Sequence, residues 1–174
     1  YYRGSSENVL DRYYQAAKRA GADVVVRITS DCPLTDPAVI DDCIEAFQKS
    51  GADYLSNTEP GERTFPRGLD VYVFRFSALE HVYKNAVENY EKEHVTPYMW
   101  ENKKGELKIG PTLTASPEYA RDYRLTVDYN EDFQLMEKIY NELYKDGEIV
   151  DAKKALLFLD AHPEIVKINA HCKQ

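Results

Sequence analysis

A short run of β-branched residues that ends in a polar turn constrains this chain most. The run is Val24 to Ile28, it is followed by Ser30-Asp31, and the chain turns into a helix at Asp36-Pro37. Strands of this composition are typical of sheets that are buried on both faces. Ligands of open α/β sheets bind at the carboxyl ends of such strands. Asp31 is therefore either a ligand for a hard cation such as Mg²⁺ or a residue that simply starts a turn.

The rest of the pattern alternates helices and strands, which predicts an α/β layer fold. Ser77 with Glu80 three residues later forms a capping-box pattern, and Asp151 is a good helix cap. We expect one domain over residues 1–174, with its core at 3–146 and a helical extension at 150–170. The predicted helices are 8–20, 37–49, 77–86, 93–100, 130–143 and one from Asp151, and the predicted strands are 24–28, 53–57, 69–76, 108–114 and 123–128.

Composition excludes two classes of partner. The formal net charge is −8, whereas nucleic-acid-binding domains need a basic face. No apolar run approaches the roughly 20 residues of a membrane helix. Three cysteines without metal-site spacing indicate reduced thiols in a cytoplasmic protein. The chain begins with Tyr1 and not with Met, so we expect that an N-terminal segment is missing.

Two aspartates at predicted strand ends are the main candidates for chemistry. The carboxyl ends of parallel strands face one edge of a sheet, so Asp31 and Asp128 could reach the same ligand. Two carboxylates, completed by phosphate oxygens and water, suit Mg²⁺. The alternative for Asp128 is that it only stabilises the N-terminus of the following helix.

Cations and polar groups near these aspartates suggest an anionic substrate. Arginine recognises carboxylate and phosphate groups in a bidentate manner, although each arginine taken alone could be a surface ion pair. His94 could donate a hydrogen bond to substrate or be purely structural. Ser30 and Asn57 are polar residues at the ends of predicted strands. The candidate substrate-binding residues are Arg27, Ser30, Asn57, Arg63, Arg67, Asp70, His94 and Arg124.

Five ordered segments together resemble the cytidylyltransferase family, in particular the branch called spore coat polysaccharide biosynthesis protein F. Relatives in that family activate Kdo, sialic acid and other acidic sugars. Five segments in one order are far more specific than any single motif. They are Arg3–Tyr14, Arg27–Pro37, Thr64–Asp70, Glu93–Tyr98 and Arg124–Asp128.

This resemblance implies a nucleotide-diphospho-sugar transferase fold, a three-layer Rossmann-like arrangement with a mixed sheet between helices. It implies a reaction of CTP with a sugar acid that gives CMP-sugar and pyrophosphate with Mg²⁺, for surface polysaccharide biosynthesis. Asp31 and Asp128 match the catalytic metal aspartates. Arg67 and Asp70 match a loop that faces the sugar, and His94 and Arg124 lie in segments that border the same pocket.

The chain departs from the family pattern at its start, because the first strands and the Gly/Ser/Arg/Lys-rich nucleotide loop are not in it. We therefore expect that the chain alone does not turn over CTP. The family pattern also implies a homodimer through the 69–76 and 93–100 segments, with Val71, Tyr72 and Tyr98 exposed. Two alternatives remain, namely a non-catalytic binding domain and a transferase for other sugars on the same fold.

Overall fold

The computed structural model describes residues 1–172. Its first helix, α1, begins and ends where the local sequence predicts. The helix spans Val9–Ala20, and the Asn8 side chain caps it by accepting a hydrogen bond from the Asp11 N–H at 2.9 Å. It ends at Gly21, which adopts the left-handed conformation with φ 62°. The predicted bounds of this helix are confirmed.

The described residues form two compact units. Unit 1 comprises Tyr1–Arg27, Asp42–Glu62 and Val71–Leu113, and unit 2 comprises residues 28–41, 63–70 and 114–172. The predicted organisation as a single domain with a helical extension stays a prediction. The elements in chain order are α1, β1 (Val24–Arg27), α2 (Pro37–Ser50), β2 (Tyr54–Ser56), β3 (Tyr72–Arg75), α3 (Phe76–Asn85), α4 (Asn89–His94), α5 (Pro97–Glu101), α6 (Asn130–Leu143), α7 (Ala152–Ala161) and α8 (Pro163–Val166).

Unit 1 is built on a three-stranded sheet with the order β1-β3-β2, in which both pairings are antiparallel. Phe74 at the centre of the sheet pairs with Val25 on one side and Tyr54 on the other. Apolar residues of α1, α3 and α5 pack with the sheet in one core. The core residue Tyr14 also stacks on the ring of Tyr83, which is 37% exposed, with ring centres 4.0 Å apart. The predicted α/β class is thus confirmed as a small sheet flanked by helices.

The prediction that β1 is buried on both faces is wrong. Val24 and Val26 are 41% and 36% exposed. The strand lies at the edge of the sheet, and alternate side chains of a strand point to opposite faces. A run of β-branched residues indicates strand propensity, but burial depends on what packs against each face.

The third strand differs from its prediction in length and exposure. It spans four residues, Tyr72–Arg75, within the predicted 69–76 segment. Val71 and Tyr72 were expected to be exposed at a dimer contact, but they are 0% and 9% exposed. Their apolar surface is buried within the chain itself, so it is not available for an exposed dimer patch. The 108–114 and 123–128 segments form only single bridges, Tyr54 with Ile109 and Arg67 with Arg124.

Two helix predictions need correction. Helix α3 begins one residue before Ser77, and the residue at its cap, Arg75, makes no side-chain capping bond. The predicted 93–100 helix is two short helices, interrupted at Val95, whose φ is 70°. A capping box does form in this region, between Glu88 and Glu91 at the start of α4. Direct continuation from β3 into α3 explains why the Ser77 pattern is unused.

In unit 2 the helices α6, α7 and α8 pack against one another. Asp151 caps α7 by accepting from the Lys154 N–H at 3.1 Å, as predicted. On α6, Phe133 is 58% exposed, whereas Leu135 is buried. Among the helices of residues 1–172, none combines the length and apolar character needed to cross a membrane.

Gly68 packs tightly against the Leu125 backbone, and its replacement by alanine is expected to destabilise the chain by about 3 kcal/mol or more. Its φ is 99°, and an added Cβ would lie 2.5 Å from the Leu125 carbonyl. Relieving that clash must disturb the hydrogen bond from the Leu125 N–H to the Arg67 carbonyl, which is 2.7 Å long. Urea-induced unfolding measures the change.

Gly147 provides the matched control for this substitution. It also has a positive φ, 78°, but an added Cβ would meet nothing within 4 Å. Gly147→Ala should therefore cost only the backbone strain of about 1–2 kcal/mol. Equal losses for the two variants would show that the close approach at Gly68 does not matter.

Candidate active site

Two aspartates converge on one threonine hydroxyl in unit 2. The Thr126 hydroxyl donates to Asp31 Oδ2 at 2.9 Å and lies 3.5 Å from Asp128 Oδ2. The Val127 N–H donates to the Asp31 carbonyl at 2.8 Å, which ties the two segments together through the backbone. The structure therefore brings the two predicted metal aspartates to one place, although the 123–128 segment is not a regular strand.

The turn that carries Asp31 is held by local hydrogen bonds. The Cys32 N–H donates to the Thr29 carbonyl at 3.2 Å, and the Thr35 hydroxyl donates to the Cys32 carbonyl at 2.7 Å. Burial raises the pKa of the Cys32 thiol to about 11. At neutral pH this thiol is protonated, so it does not compete with the neighbouring carboxylate for a cation.

Arg124 links the exposed carboxylate to a buried one. Its Nη2 donates to Asp128 Oδ2 at 2.6 Å, and its Nε and Nη2 donate to the two oxygens of Asp132 at 2.9 Å each. The Arg124 side chain is 7% exposed and that of Asp132 is 0% exposed. Arg124 Nη1 is buried and has no hydrogen-bond partner within residues 1–172. The guanidinium is thus held in place by its Nε and Nη2, while Nη1 is enclosed by protein.

Asp132 is the buried centre of this network. Besides Arg124, it accepts hydrogen bonds from the N–H groups of Asp128 and Tyr129 at 3.0 Å each and from Asn169 Nδ2 at 2.8 Å. Burial raises the pKa of Asp132, but these hydrogen bonds outweigh it and lower the pKa to about 2. The charged carboxylate therefore fixes both the Arg124 side chain and the backbone that carries Asp128.

The residues at this place fit a hard divalent cation. Asp31 and Asp128 offer carboxylate oxygens, and Mg²⁺ is usually held by one or two carboxylates with water and phosphate oxygens completing its shell. The three carboxylates of the network outnumber its single guanidinium, so two negative charges remain in excess. Within residues 1–172 no group of three His, Cys, Asp or Glu side chains could hold a metal alone.

Arg63 and Arg67, two of the predicted substrate-binding residues, lie in different settings. Arg63 forms a bidentate pair with Asp70, with N–O distances of 2.6 and 3.0 Å. Both predicted substrate groups thus bind each other. The Arg67 side chain is exposed, and its backbone pairs with the segment around Arg124 through a hydrogen bond from its N–H to the Tyr123 carbonyl at 2.9 Å.

The other predicted substrate residues are placed as follows. Ser30 is exposed in unit 2, next to Asp31. Asn57, in unit 1, is fully buried, and its Oδ1 accepts a hydrogen bond from the Val71 N–H at 2.8 Å, which is a structural role. His94 is the exposed last residue of α4 in unit 1. Arg27 is buried in unit 1 beside two tyrosine rings.

Sequence reasoning missed three residues of the site. Thr126 sits two residues before Asp128, and alternation along an extended segment could have indicated that it points to the same side. Asp132, four residues after Asp128, lies in the first turn of α6, where the helix dipole alone is enough to favour an acidic residue. Asn169 carries no local signal, because its partners lie 37 and 45 residues away in sequence.

The chain is similar to several known proteins. A family model described as cytidylyltransferase matches residues 1–158. The protein MJ1063 of Methanocaldococcus jannaschii is 41% identical over 99% of this chain and 68% of its own length. The spore coat polysaccharide biosynthesis protein SpsF of Bacillus subtilis is 30% identical over 94% of this chain and 65% of its own length. The chain thus spans about two thirds of the length of these relatives.

A solved structure indicates the same family. A cytidylyltransferase from Leptospira borgpetersenii serovar Hardjo-bovis (strain JB197) superposes with a TM-score of 0.81 at 30% identity, covering 95% of this chain and 67% of that one. Since the family model also covers most of the sequence, the chain belongs to the cytidylyltransferase family.

Proposed function

We propose that this protein acts in the transfer of CMP from CTP to an acidic sugar, with release of pyrophosphate. The observation that carries the proposal is the convergence of Asp31 and Asp128 on the Thr126 hydroxyl, beside the guanidinium of Arg124 that binds Asp128. A cation site next to a fixed guanidinium is what recognition of a nucleotide phosphate needs. Membership of the cytidylyltransferase family supports the same reaction class.

The proposed reaction forms one bond to phosphorus and breaks another. A sugar hydroxyl oxygen attacks the α-phosphorus of CTP and forms a new O–P bond, while the bond from that phosphorus to the bridging oxygen of the β-phosphate breaks. Pyrophosphate leaves with that oxygen, and the sugar hydroxyl loses its proton to water. Little covalent help from the protein is needed, so positioning and charge stabilisation carry most of the catalysis.

Asp31 and Asp128 would hold the Mg²⁺ ion. When bound, the ion neutralises charge on phosphate oxygens. The Arg124 guanidinium, which Asp128 and Asp132 hold in place, would add positive charge close to the anionic oxygens of the substrate. The exposed Arg67 would meet the sugar carboxylate. Because buried hydrogen bonds orient Arg124 before any ligand arrives, little reorganisation is required on binding.

Several finer predictions belong to this proposal. The relative named for spore coat polysaccharide biosynthesis supports a role for the product in surface polysaccharide assembly. The cytoplasmic location and the homodimer stay predictions, and burial of Val71 and Tyr72 removes two of the residues once expected at a dimer contact. The predicted substrate roles of Ser30, Arg27 and His94 also stay predictions.

The test is a pyrophosphate-release assay on the protein expressed from its full reading frame. With Mg²⁺ and a panel of sugar acids, including Kdo and sialic acid, CTP should release pyrophosphate at least about tenfold faster than ATP, GTP or UTP. Tenfold is a modest expectation, because sites that form hydrogen bonds with polar groups of a substrate can discriminate far more strongly. Removal of Mg²⁺ by a chelator should stop the release.

Three other results would argue against the proposal. Release with neutral sugar 1-phosphates in place of sugar acids would assign another nucleotidyltransferase. Calorimetric binding of CTP without turnover of any sugar acid would indicate a non-catalytic binding domain. Neither binding nor turnover of CTP would contradict nucleotide chemistry at this site altogether.

A further inference from the structure

Thr126 joins the two segments that carry the candidate metal ligands. The residue is buried, with an exposed fraction of 3%. Its hydroxyl donates to Asp31 Oδ2 at 2.9 Å and lies 3.5 Å from Asp128 Oδ2. A hydroxyl has a single proton to donate, and the shorter contact identifies Asp31 as the acceptor. The hydroxyl therefore holds one carboxylate and lies within reach of the other.

A backbone hydrogen bond supports this contact. The Val127 N–H donates to the Asp31 carbonyl at 2.8 Å, so two consecutive residues bind the backbone and the side chain of Asp31. Asp31 and Thr126 are 95 residues apart in sequence. The segment that carries Asp128 thus also sets the position of Asp31. Because the backbone bond does not involve the hydroxyl, it is expected to survive removal of that group.

The Asp128 carboxylate has a separate partner. Arg124 Nη2 donates to Asp128 Oδ2 at 2.6 Å, and the two oxygens of Asp132 hold the same guanidinium. The second oxygen of Asp128, Oδ1, accepts no hydrogen bond from any group within residues 1–172. Each carboxylate of the pair is therefore oriented through its Oδ2 by a donor of the protein.

We infer that the Thr126 hydroxyl is a positioning group that makes this site selective for Mg²⁺ over Ca²⁺. Mg²⁺ requires oxygen ligands at about 2.0–2.1 Å in near-octahedral geometry, whereas Ca²⁺ accepts about 2.3–2.6 Å and a flexible arrangement. Loss of the hydroxyl frees the Asp31 carboxylate to rotate, which affects the ion with the stricter geometry more. The inference rests on the proposed function, because it takes Asp31 and Asp128 as the cation ligands.

The test is a calorimetric titration of the protein with Mg²⁺ and, separately, with Ca²⁺, in the absence of nucleotide. Thr126→Val keeps the branched shape of the side chain but removes its hydroxyl. It should weaken Mg²⁺ binding about tenfold or more, as expected for a residue that orients a metal ligand. It should weaken Ca²⁺ binding by a smaller factor. Thr126→Ser, which retains a hydroxyl, should keep most of the native Mg²⁺ affinity.

Two further variants separate this role from a general structural one. Thr114→Val makes the same change at an exposed threonine of unit 2 and should alter neither affinity. If Thr126 acts through Asp31, adding Thr126→Val to Asp31→Asn should weaken Mg²⁺ binding much less than Thr126→Val weakens it in the native protein. Additive losses in the double variant would contradict a role that acts through Asp31.

Three other results would overturn the inference. They are the absence of saturable Mg²⁺ binding to the native protein, an unchanged Mg²⁺ affinity in Thr126→Val, and an equal fractional loss for the two cations. If Thr126→Val does not fold, Thr126→Ala removes the same hydroxyl, and its comparison with Thr126→Ser decides the question. Because the titration contains no nucleotide, failure here and failure of the pyrophosphate assay are separable.

Discussion

Replacement of Asp132 with alanine will destabilise the folded chain by about 3–5 kcal/mol, the range found when one partner of a buried ion pair is removed. The substitution deletes the acceptor of Arg124 Nε and Nη2 and of Asn169 Nδ2. It also frees the N–H groups of Asp128 and Tyr129. The guanidinium, 7% exposed, would lose its buried counter-charge. Urea-induced unfolding followed by circular dichroism measures the loss.

Asp122→Ala is the matched control for this prediction. Asp122 is an exposed aspartate in the same unit, so its removal should change the free energy of unfolding by less than about 0.5 kcal/mol. A loss below about 1 kcal/mol for Asp132→Ala would contradict the assignment of Asp132 as the centre of the network.

The stability difference between the native chain and Asp132→Ala should also depend on pH. The pKa of Asp132 is about 2 in the folded chain against an ordinary value of 3.8. A carboxyl group with a lowered folded pKa stabilises the fold fully above its unfolded pKa and loses that contribution as pH falls through the folded value. This shift corresponds to about 2 kcal/mol. The gap between the two proteins should therefore be constant above about pH 5 and shrink by that amount toward pH 2.

The elements that sequence predicted well are those specified by neighbours in the chain. Helix α1 is bounded by Asn8 and Gly21, and α7 begins at Asp151, because caps act within three or four residues. The interruption at Val95 was not predicted, since its positive φ belongs to a residue type that rarely adopts one. The exposure of β1 was not predicted either, because burial is decided by distant segments.

The candidate site shows the same difference between features specified by neighbouring residues and features decided by distant segments. Asp31 and Asp128 could be predicted because each ends an apolar run, and a carboxylate there suits a cation. A contact between Arg124, on an extended segment, and Asp132, in the helix that follows, is compatible with their separation of eight residues. The sequence gives no indication that this contact is buried. Asn169 could not be predicted, since only the folded chain brings it to Arg124. Arg63 and Asp70 were assigned to substrate, yet they satisfy each other.

Replacement of Asp31 with asparagine should weaken Mg²⁺ binding at least about 100-fold, because even residues that only orient a metal ligand contribute 10–100-fold to metal affinity. Asparagine keeps the size of the side chain and an oxygen that can accept the Thr126 hydroxyl, which donates to Asp31 at 2.9 Å. The fold should therefore remain, with a change in the free energy of unfolding below about 1 kcal/mol. Calorimetric titration with Mg²⁺ gives the affinity, and the pyrophosphate assay gives the rate.

Asp41→Asn removes an exposed carboxylate from α2 and serves as the control for loss of negative charge alone. If the two carboxylates hold the cation jointly, Asp128→Asn must reproduce the effect of Asp31→Asn, while Asp41→Asn leaves the affinity unchanged. Equal weakening in all three variants would indicate a diffuse electrostatic attraction. Retention of Mg²⁺ affinity by Asp31→Asn would return this residue to the simpler role of starting the turn after β1.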